Sequence, residues 1–251
     1  MLFNDAIKCA LDTDGVAILP PMDVFDSISM VQNANIRINC TILDPWYNKG
    51  FGGELPSEQY DEFISKLLSK SAEICDLIYL WGFPEVIGPY VRYAPEHFYM
   101  AAWLTWYYKN CPSVIRGWRS SQNACLQFMK KGRKLYPEHF LTEEQGKKYA
   151  SGKMRFVPGP PSVIEAPLII GFVGKNERTG HPSQKPEAVF DKLLLMADKK
   201  DDIVFDPMAG SGTTAACARK HGMKSIVCDK SEEYICMIEK RLGVRRLNTK
   251  M

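Results

Sequence analysis

Val204-Phe205-Asp206-Pro207-Met208-Ala209-Gly210-Ser211-Gly212-Thr213-Thr214 reads as a buried strand that delivers a carboxylate and a glycine turn onto the first residues of a helix. The apolar run ending at Phe205 supplies the strand, Gly210 and Gly212 let the backbone approach a ligand closely, and Thr213 to Lys220 continue with helical spacing. A second short apolar strand, Ser225-Ile226-Val227-Cys228, follows and leads into Asp229. That carboxylate falls about twenty residues further on, where nucleotide-binding α/β folds hydrogen-bond a ribose hydroxyl. Two such units in succession predict a Rossmann-like α/β fold, with a mostly parallel sheet, helices on both faces and an antiparallel hairpin at one edge.

The turn is not a hydride-cofactor fingerprint, because Gly210-Ser211-Gly212-Thr213 lacks the third glycine, and no Gly-Lys-Ser/Thr follows to make a phosphate loop. An acid stands where phosphates would be repelled. Asp206 suits a ligand that carries a cation, such as an α-amino group or a sulfonium, which points to S-adenosylmethionine. Ala209, Gly210, Ser211, Gly212 and Thr213 then form the donor loop.

A second strand ends in a different kind of tip: Asn39-Cys40-Thr41-Ile42-Leu43-Asp44-Pro45-Trp46-Tyr47-Asn48. The exocyclic amino group of adenine or cytosine is a poor nucleophile because its lone pair is delocalised into the ring. A carboxylate and a backbone carbonyl, each accepting one N–H, can hold that nitrogen with its lone pair aimed at a methyl donor. Asp44 and the carbonyl of Pro45 are candidates for those acceptors, and Tyr47 for a ring that stacks on a base swung out of a duplex.

These motifs resemble the S-adenosylmethionine-dependent DNA amino-methyltransferases, which make N6-methyladenine or N4-methylcytosine. The family's Asp-Pro-Pro-Tyr is approximated by Asp44 to Tyr47, its Phe-Asp-Pro-Phe-Ala-Gly-Ser-Gly-Thr-Thr by Phe205 to Thr214, and its His-Pro-Thr-Gln-Lys-Pro by His181 to Pro186. The catalytic motif comes first and the cofactor loop last, as in the permuted order called the beta class. The resemblance implies that Ser183, Gln184 and Lys185 lie near the donor's methionine moiety, that Asp229 binds ribose, and that Asp23 contacts adenine. It favours adenine N6 as the target, since an Asp opens the catalytic motif, with cytosine N4 as the alternative. Trp46 departs from the family's second proline. It adds an aromatic at the mouth of the site, read here as a nucleic-acid contact.

Other chemistries fit less well. Methylation at carbon 5 of cytosine needs a thiolate, usually presented after proline, and the only Cys-Pro juxtaposition is Cys111-Pro112, in reverse order. The eight cysteines include no Cys-x-x-Cys spacing and read as reduced thiols, and the four histidines are scattered, so no metal is indicated. No run approaches the length of a membrane span and the start carries no signal-peptide pattern, so a cytoplasmic protein of a prokaryote or phage is expected.

The chain's 251 residues suit one large α/β domain with an insertion. Residues 1–130 and 181–251 are expected to form the permuted catalytic and cofactor-binding domain, and 131–180 an inserted target-recognition region. The net charge of +3 is segregated: Arg116 to Arg155 carry +7 and the remainder −4. Within that segment Lys130, Lys131, Arg133 and Lys134 are expected to hold the phosphates of double-stranded DNA. A homodimer and a partner restriction endonuclease are compatible with this reading. RNA as substrate, or a catalytically silent nucleic-acid-binding subunit, are the competing ones.

Overall fold

A computed structural model of the chain describes residues 3–48, 53–111 and 117–248. Eight strands make one sheet: β1 (Val16–Ile18), β2 (Cys40–Leu43), β3 (Leu77–Gly82), β4 (Phe98–Tyr107), β5 (Gln122–Lys130), β6 (Val163–Glu165), β7 (Ile203–Asp206) and β8 (Lys224–Val227). Their spatial order is β1-β8-β7-β2-β3-β5-β4-β6, and every neighbouring pair is parallel except those that β5 makes with β3 and β4. The central strands β2 and β3 are wholly buried, which explains why they appear in sequence as unbroken apolar runs rather than alternating ones.

Helices α1 (Phe3–Thr13), α2 (Val24–Asn33) and α3 (Ser57–Ala72) cover one face, where Tyr60, Ile64, Leu67 and Leu68 pack with Leu43, Ile78, Leu80 and Phe205. Helices α6 (Glu187–Ala197) and α7 (Thr213–Lys220) cover the other through Val189, Phe190, Leu193 and Leu194 against Ile42, Tyr79, Trp81 and Val204. Helix α8 (Glu232–Leu242) closes the β1 end through Ile235 and Ile238. Two short helices, α4 (Pro84–Ile87) and α5 (Glu143–Ala150), lie in the connections. From β7 the chain proceeds outward to β8, and from β2 it proceeds the opposite way to β3. The β7/β2 boundary is therefore the switch point at which open α/β sheets bind ligands, beyond the carboxyl ends of the strands.

The direction of β5 carries the basic run expected to hold DNA away from the switch-point cleft. Because β5 runs against its neighbours, it ends at the amino edge of the sheet, and the basic run that follows lies on the side opposite the switch-point cleft. The Lys130 amide donates to the Asp76 carbonyl at 3.0 Å and its ammonium stands 3.4 Å from the Asp76 carboxylate, beside the start of β3. The Lys131 amide bonds the His97 carbonyl just before β4, and Lys134 approaches Glu138 at 3.7 Å. Arg133 is drawn inward: Nη2 donates to the Ala197 carbonyl at 2.6 Å and to Asp198 Oδ1 at 2.9 Å, capping the carboxyl end of α6. Burial pushes the Asp198 carboxyl up to about 7, with the Cys40 thiol and Arg133 pulling the other way. Arg116 lies outside the described residues.

Nor do residues 131–180 stand apart from the sheet. Their first part follows the amino edge, where the Tyr136 amide bonds Met196 and His139 Nδ1 meets the Leu195 carbonyl at 2.7 Å, and β6 then joins the sheet on β4. Only the stretch after β6 returns to the carboxyl edge.

Removing Arg133 leaves a buried carboxylate uncompensated, so Arg133→Met should lower unfolding free energy by about 3–5 kcal/mol in denaturant titrations. Combining it with Asp198→Leu should restore most of that loss. Lys130→Gln and Lys134→Gln should stay within about 0.5 kcal/mol of wild type.

Candidate active site

Three carboxylates gather at the carboxyl edge of adjacent strands: Asp44 follows β2, Asp206 closes β7, and Asp229 lies two residues past β8. Asp206 is buried, its Oδ1 accepts the Met208 amide at 3.0 Å and its Oδ2 accepts the Thr214 hydroxyl. Burial pushes its carboxyl up to about 7; those bonds oppose the rise, and the charges of Asp44 and Asp229 add to it. Asp229 accepts the amides of Gly210 at 3.0 Å and Ser231 at 2.9 Å, tying the glycine turn to the tip of the neighbouring strand.

Gly210 and Gly212 both take left-handed conformations, with φ of 48° and 74°. A Cβ at position 210 would stand 2.9 Å from His181 Nε2, and one at 212 would stand 3.2 Å from Ile238 Cγ1. Side chains here would thus collide with His181 and α8, so the two glycines let the turn pack tightly at the amino end of α7, where helix backbone suits a close-lying ligand. Arg241 holds the turn from outside, with Nη1 donating to the Ser211 carbonyl at 2.9 Å and to Thr213 Oγ1 at 3.0 Å, and Nη2 to Glu187 at 2.8 Å. The Ala209 amide bonds the Cys228 carbonyl at 2.8 Å.

Lys185 joins this cradle to the second motif. Its buried ammonium donates to Asp44 Oδ2 and, at 2.8 Å, to the Tyr47 hydroxyl, while that hydroxyl donates to Asp44 Oδ1 at 3.0 Å. The ammonium also lies 5.4 Å from the Tyr47 ring centre and 6.0 Å from that of Trp81. Burial, followed by the charge of Asp44, pushes the Tyr47 phenol well above its ordinary range, so the ring stays neutral. Phe83, beyond β3, meets the Tyr47 ring at 4.6 Å and 61°.

His181, quoted in the third motif but given no role there, proves to be the lid of the glycine turn. Its Nδ1 accepts the Ser183 amide at 3.2 Å, which leaves Nε2 to carry the hydrogen toward Gly210, and the ring meets Tyr234 at 4.4 Å. Burial lowers its pKa, so it is uncharged at neutral pH. Arg241 and Phe83 carry no motif that would single them out in sequence, and Thr214 closes the glycine motif without a role being assigned to it there.

Several expected contacts are redirected. Trp46 is half-buried and wedged against Tyr60 and Phe63 of α3, with ring centres 5.4 and 4.8 Å away, and its carbonyl accepts the Tyr60 hydroxyl at 2.7 Å. The indole therefore anchors the loop to α3, restraining it by packing where the family has a proline. Gln184 is buried and committed: its Oε1 accepts the amide and hydroxyl of Thr179 at 2.8 and 2.9 Å, and its Nε2 donates to the Glu177 carbonyl at 2.6 Å. It braces a loop rather than facing a ligand. Asp23 caps α2 by accepting the Phe25 amide at 2.9 Å; the Met22 amide beside it bonds the Asp229 carbonyl at 3.3 Å, so it shares the cleft's edge. Ser183 is exposed there, and Ser211 and Thr213 are buried in the turn.

Among the described residues no helix is long and apolar enough to cross a membrane, and no group of three or more His, Cys, Asp or Glu could hold a metal ion.

A glycine cradle between two strand-end carboxylates, facing an Asp-Pro-Trp-Tyr loop across a switch point, defines the class: a Rossmann-like S-adenosylmethionine-dependent methyltransferase. Residues 38–240 match the model of the DNA methylase family that acts on adenine N6 and cytosine N4, and the chain belongs to that family. The type II methyltransferase M.HpaI of Haemophilus parainfluenzae is 29% identical over 215 residues, which cover 82% of this chain and 68% of that protein. Among solved structures, the M1.HpyAVI–SAM complex superposes with a TM-score of 0.68 at 20% identity, covering 91% of this chain and 100% of that one. The cytosine-N4-specific PvuII DNA methyltransferase superposes with a TM-score of 0.65 at 15% identity, covering 95% and 90%. At those identities the structural likeness is one of fold.

Two outcomes follow for donor binding. Gly210→Ala should fold normally yet weaken S-adenosylmethionine binding at least about tenfold in calorimetry, since its Cβ is driven against His181 and a left-handed conformation is strained for alanine. A cationic donor prefers Asp206 ionised, so affinity should rise with pH through about 7 and level off above it, and Asp206→Asn should flatten that dependence.

Proposed function

We propose that the chain methylates adenine N6 in duplex DNA, with Asp44, Pro45 and Tyr47 acting on the target base and the turn from Asp206 to Thr213, together with Asp229 and Lys185, holding the donor. The carrying observation is the bond network in which Lys185, from the third motif, meets Asp44 and Tyr47, from the first, next to the glycine cradle. Three segments distant in sequence converge where one methyl group must pass between two ligands. The opening Asp of the catalytic loop favours adenine over cytosine.

The residues fit the donor. The cradle is left open by two glycines, Asp229 offers its carboxylate to a ribose, and Asp206 faces the side where a cation is favoured. Bound there, S-adenosylmethionine supplies an electrophilic methyl carbon whose bond to sulfur breaks as a bond to the amino nitrogen forms, the sulfur keeping the electron pair. Asp44 retains acceptor capacity beyond its bonds to Lys185 and Tyr47, because an ionised carboxylate offers about four lone-pair sites. With the Pro45 carbonyl it takes the two N–H bonds of the target amine and frees that nitrogen's lone pair. The positive charge that develops on nitrogen during transfer is stabilised by Asp44, which is placed to receive the proton the nitrogen sheds. Tyr47, backed by Phe83 and Lys185, presents a fixed ring on which the base stacks.

Target recognition falls to the loops on the same edge, 108–111, 117–121 and 166–180, in place of the basic run after β5. In their described parts these carry Lys109, Arg119, Lys175 and Arg178 against the single carboxylate Glu177. Partners follow from the same reading. A type II relative supports pairing with an endonuclease of matching specificity. The outer edge of β4, unpaired before Thr105 and bearing exposed Tyr99 and Trp103, offers a surface for a homodimer.

The test is incubation of purified protein with labelled donor and separate DNA and RNA pools, followed by nucleoside chromatography. Label in N6-methyldeoxyadenosine is expected. Label in N4-methyldeoxycytidine would correct the base, label in RNA the polymer, and none at all would sink the reading. Asp44→Ala should lower the methylation rate by about 10²–10³ or more while leaving the donor's dissociation constant near wild type.

A further inference from the structure

Phe172 is 95% exposed, the most open of the large apolar side chains among the described residues. Burying such a ring would stabilise the fold, which gains nothing by leaving it in water. Phe172 nevertheless occupies the tip of a tightly braced turn. The Val173 amide bonds the Ile170 carbonyl at 3.0 Å, the Glu177 amide bonds Gly174 at 3.1 Å, and Arg178 Nη1 donates to the Gly171 carbonyl at 2.9 Å. Gly171 and Gly174 bracket the tip in left-handed conformations, and Gly174 sits so close to Ile169 that a Cβ would be 3.1 Å from that side chain.

Both ends of the turn are fastened to the catalytic edge. Asn110, in the β4–β5 hairpin, exchanges two hydrogen bonds with the backbone of Leu168 at 2.8 and 2.9 Å. At the far end Gln184, next to Lys185, holds Glu177 and Thr179, and the Glu177 carboxylate accepts the Glu187 amide at 2.8 Å. The turn is therefore linked through its bracing bonds to the residue that touches Asp44 and Tyr47. Exposed Lys175 and Arg178 flank the ring and match a phosphate backbone. Phe156, also exposed, lies before β6 on the approach from the amino edge and has no such connection.

We propose that Phe172 is a wedge that enters the DNA duplex beside the target and fills the stack vacated when the base swings into the cleft. This rests on the reading of the chain as an enzyme acting on an extruded base. Extruding a paired base forfeits stacking and pairing, and apolar side chains inserted between base steps are a known physical means of offsetting that loss. A rigid turn suits the task better than a loose one, because a ring held in place loses little freedom on insertion.

The experiment uses the full chain and two duplexes of the sequence methylated in the assay above, one with 2-aminopurine at the target base for fluorescence and one with adenine there for methyl transfer, because 2-aminopurine has no 6-amino group to accept a methyl. Wild type should raise the 2-aminopurine fluorescence on binding. Phe172→Ala should lose that rise and slow single-turnover methylation of the paired duplex at least tenfold, while Phe172→Leu keeps most of both. On a duplex whose target faces an abasic site, Phe172→Ala should approach the wild-type rate, and its donor affinity should match wild type throughout. Equal fluorescence and rate for Phe172→Ala and wild type on the paired duplex would overturn the wedge while leaving the methyltransferase reading intact. So would an equal deficit on paired and abasic duplexes. A wild type that transfers label to no DNA would overturn both.

Discussion

A buried ammonium must be matched, and the match at Lys185 organises the active edge of this protein. Removing an ammonium or carboxylate from water carries a penalty of several kcal/mol per ion unless partners restore its bonds. Lys185 is buried, and its charge is answered by Asp44 and Tyr47 from a loop 138 to 141 residues earlier in the chain. The pairing requires that β2 lie beside β7 and that the loop leading into α6 bring Lys185, two residues before that helix, over the top of both. Once that is satisfied, the acceptor loop and donor turn face each other without further adjustment. The same proton-rich contact orients the Asp44 carboxylate before any amine arrives.

The donor turn is held by a different logic. Its amides and carbonyls are tied to Asp229, Cys228 and Arg241, all from the strand or helix that follows, so the loop's shape is set by its neighbours and its two glycines only permit it. The Asp-Pro-Trp-Tyr loop is restrained from beneath, by the Trp46 indole on α3 and the Tyr60 hydroxyl on the Trp46 carbonyl. Preorganisation of both loops is consistent with chemistry that depends on aiming one lone pair.

Much of this was legible in sequence because strands buried on both faces announce themselves as apolar runs and their tips as carboxylates followed by glycine or proline. Strands β2, β7 and β8 and helix α7 follow from those signals, and so do the carboxylates Asp44, Asp206 and Asp229 at the strand tips. What sequence could not convey is which edge of the sheet a segment reaches. The cluster from Lys130 to Lys134 is basic wherever it sits, and only the reversed direction of β5 carries it away from the cleft. Trp46 and Gln184 fail for a related reason. An indole or an amide in a motif looks ready for a ligand, and its commitment to Phe63 or Thr179 depends on elements that meet only in three dimensions. β6 and α5 escaped notice because three residues make too short a period to detect, and α5 has no buried face.

The sheet order also dictates when the active edge can exist. β1 is made well before its neighbour β8, residues 224–227, and β2 before β7, residues 203–206, one of its two neighbours. Such pairings close loops of most of the chain's length and are slow to form. For much of synthesis β1 and one side of β2 therefore stand unpaired, with α1 and α2 as their nearest cover. In the permuted order of motifs the cleft cannot assemble until β7 and β8 have been made, and the strand edges they cover are exposed until then.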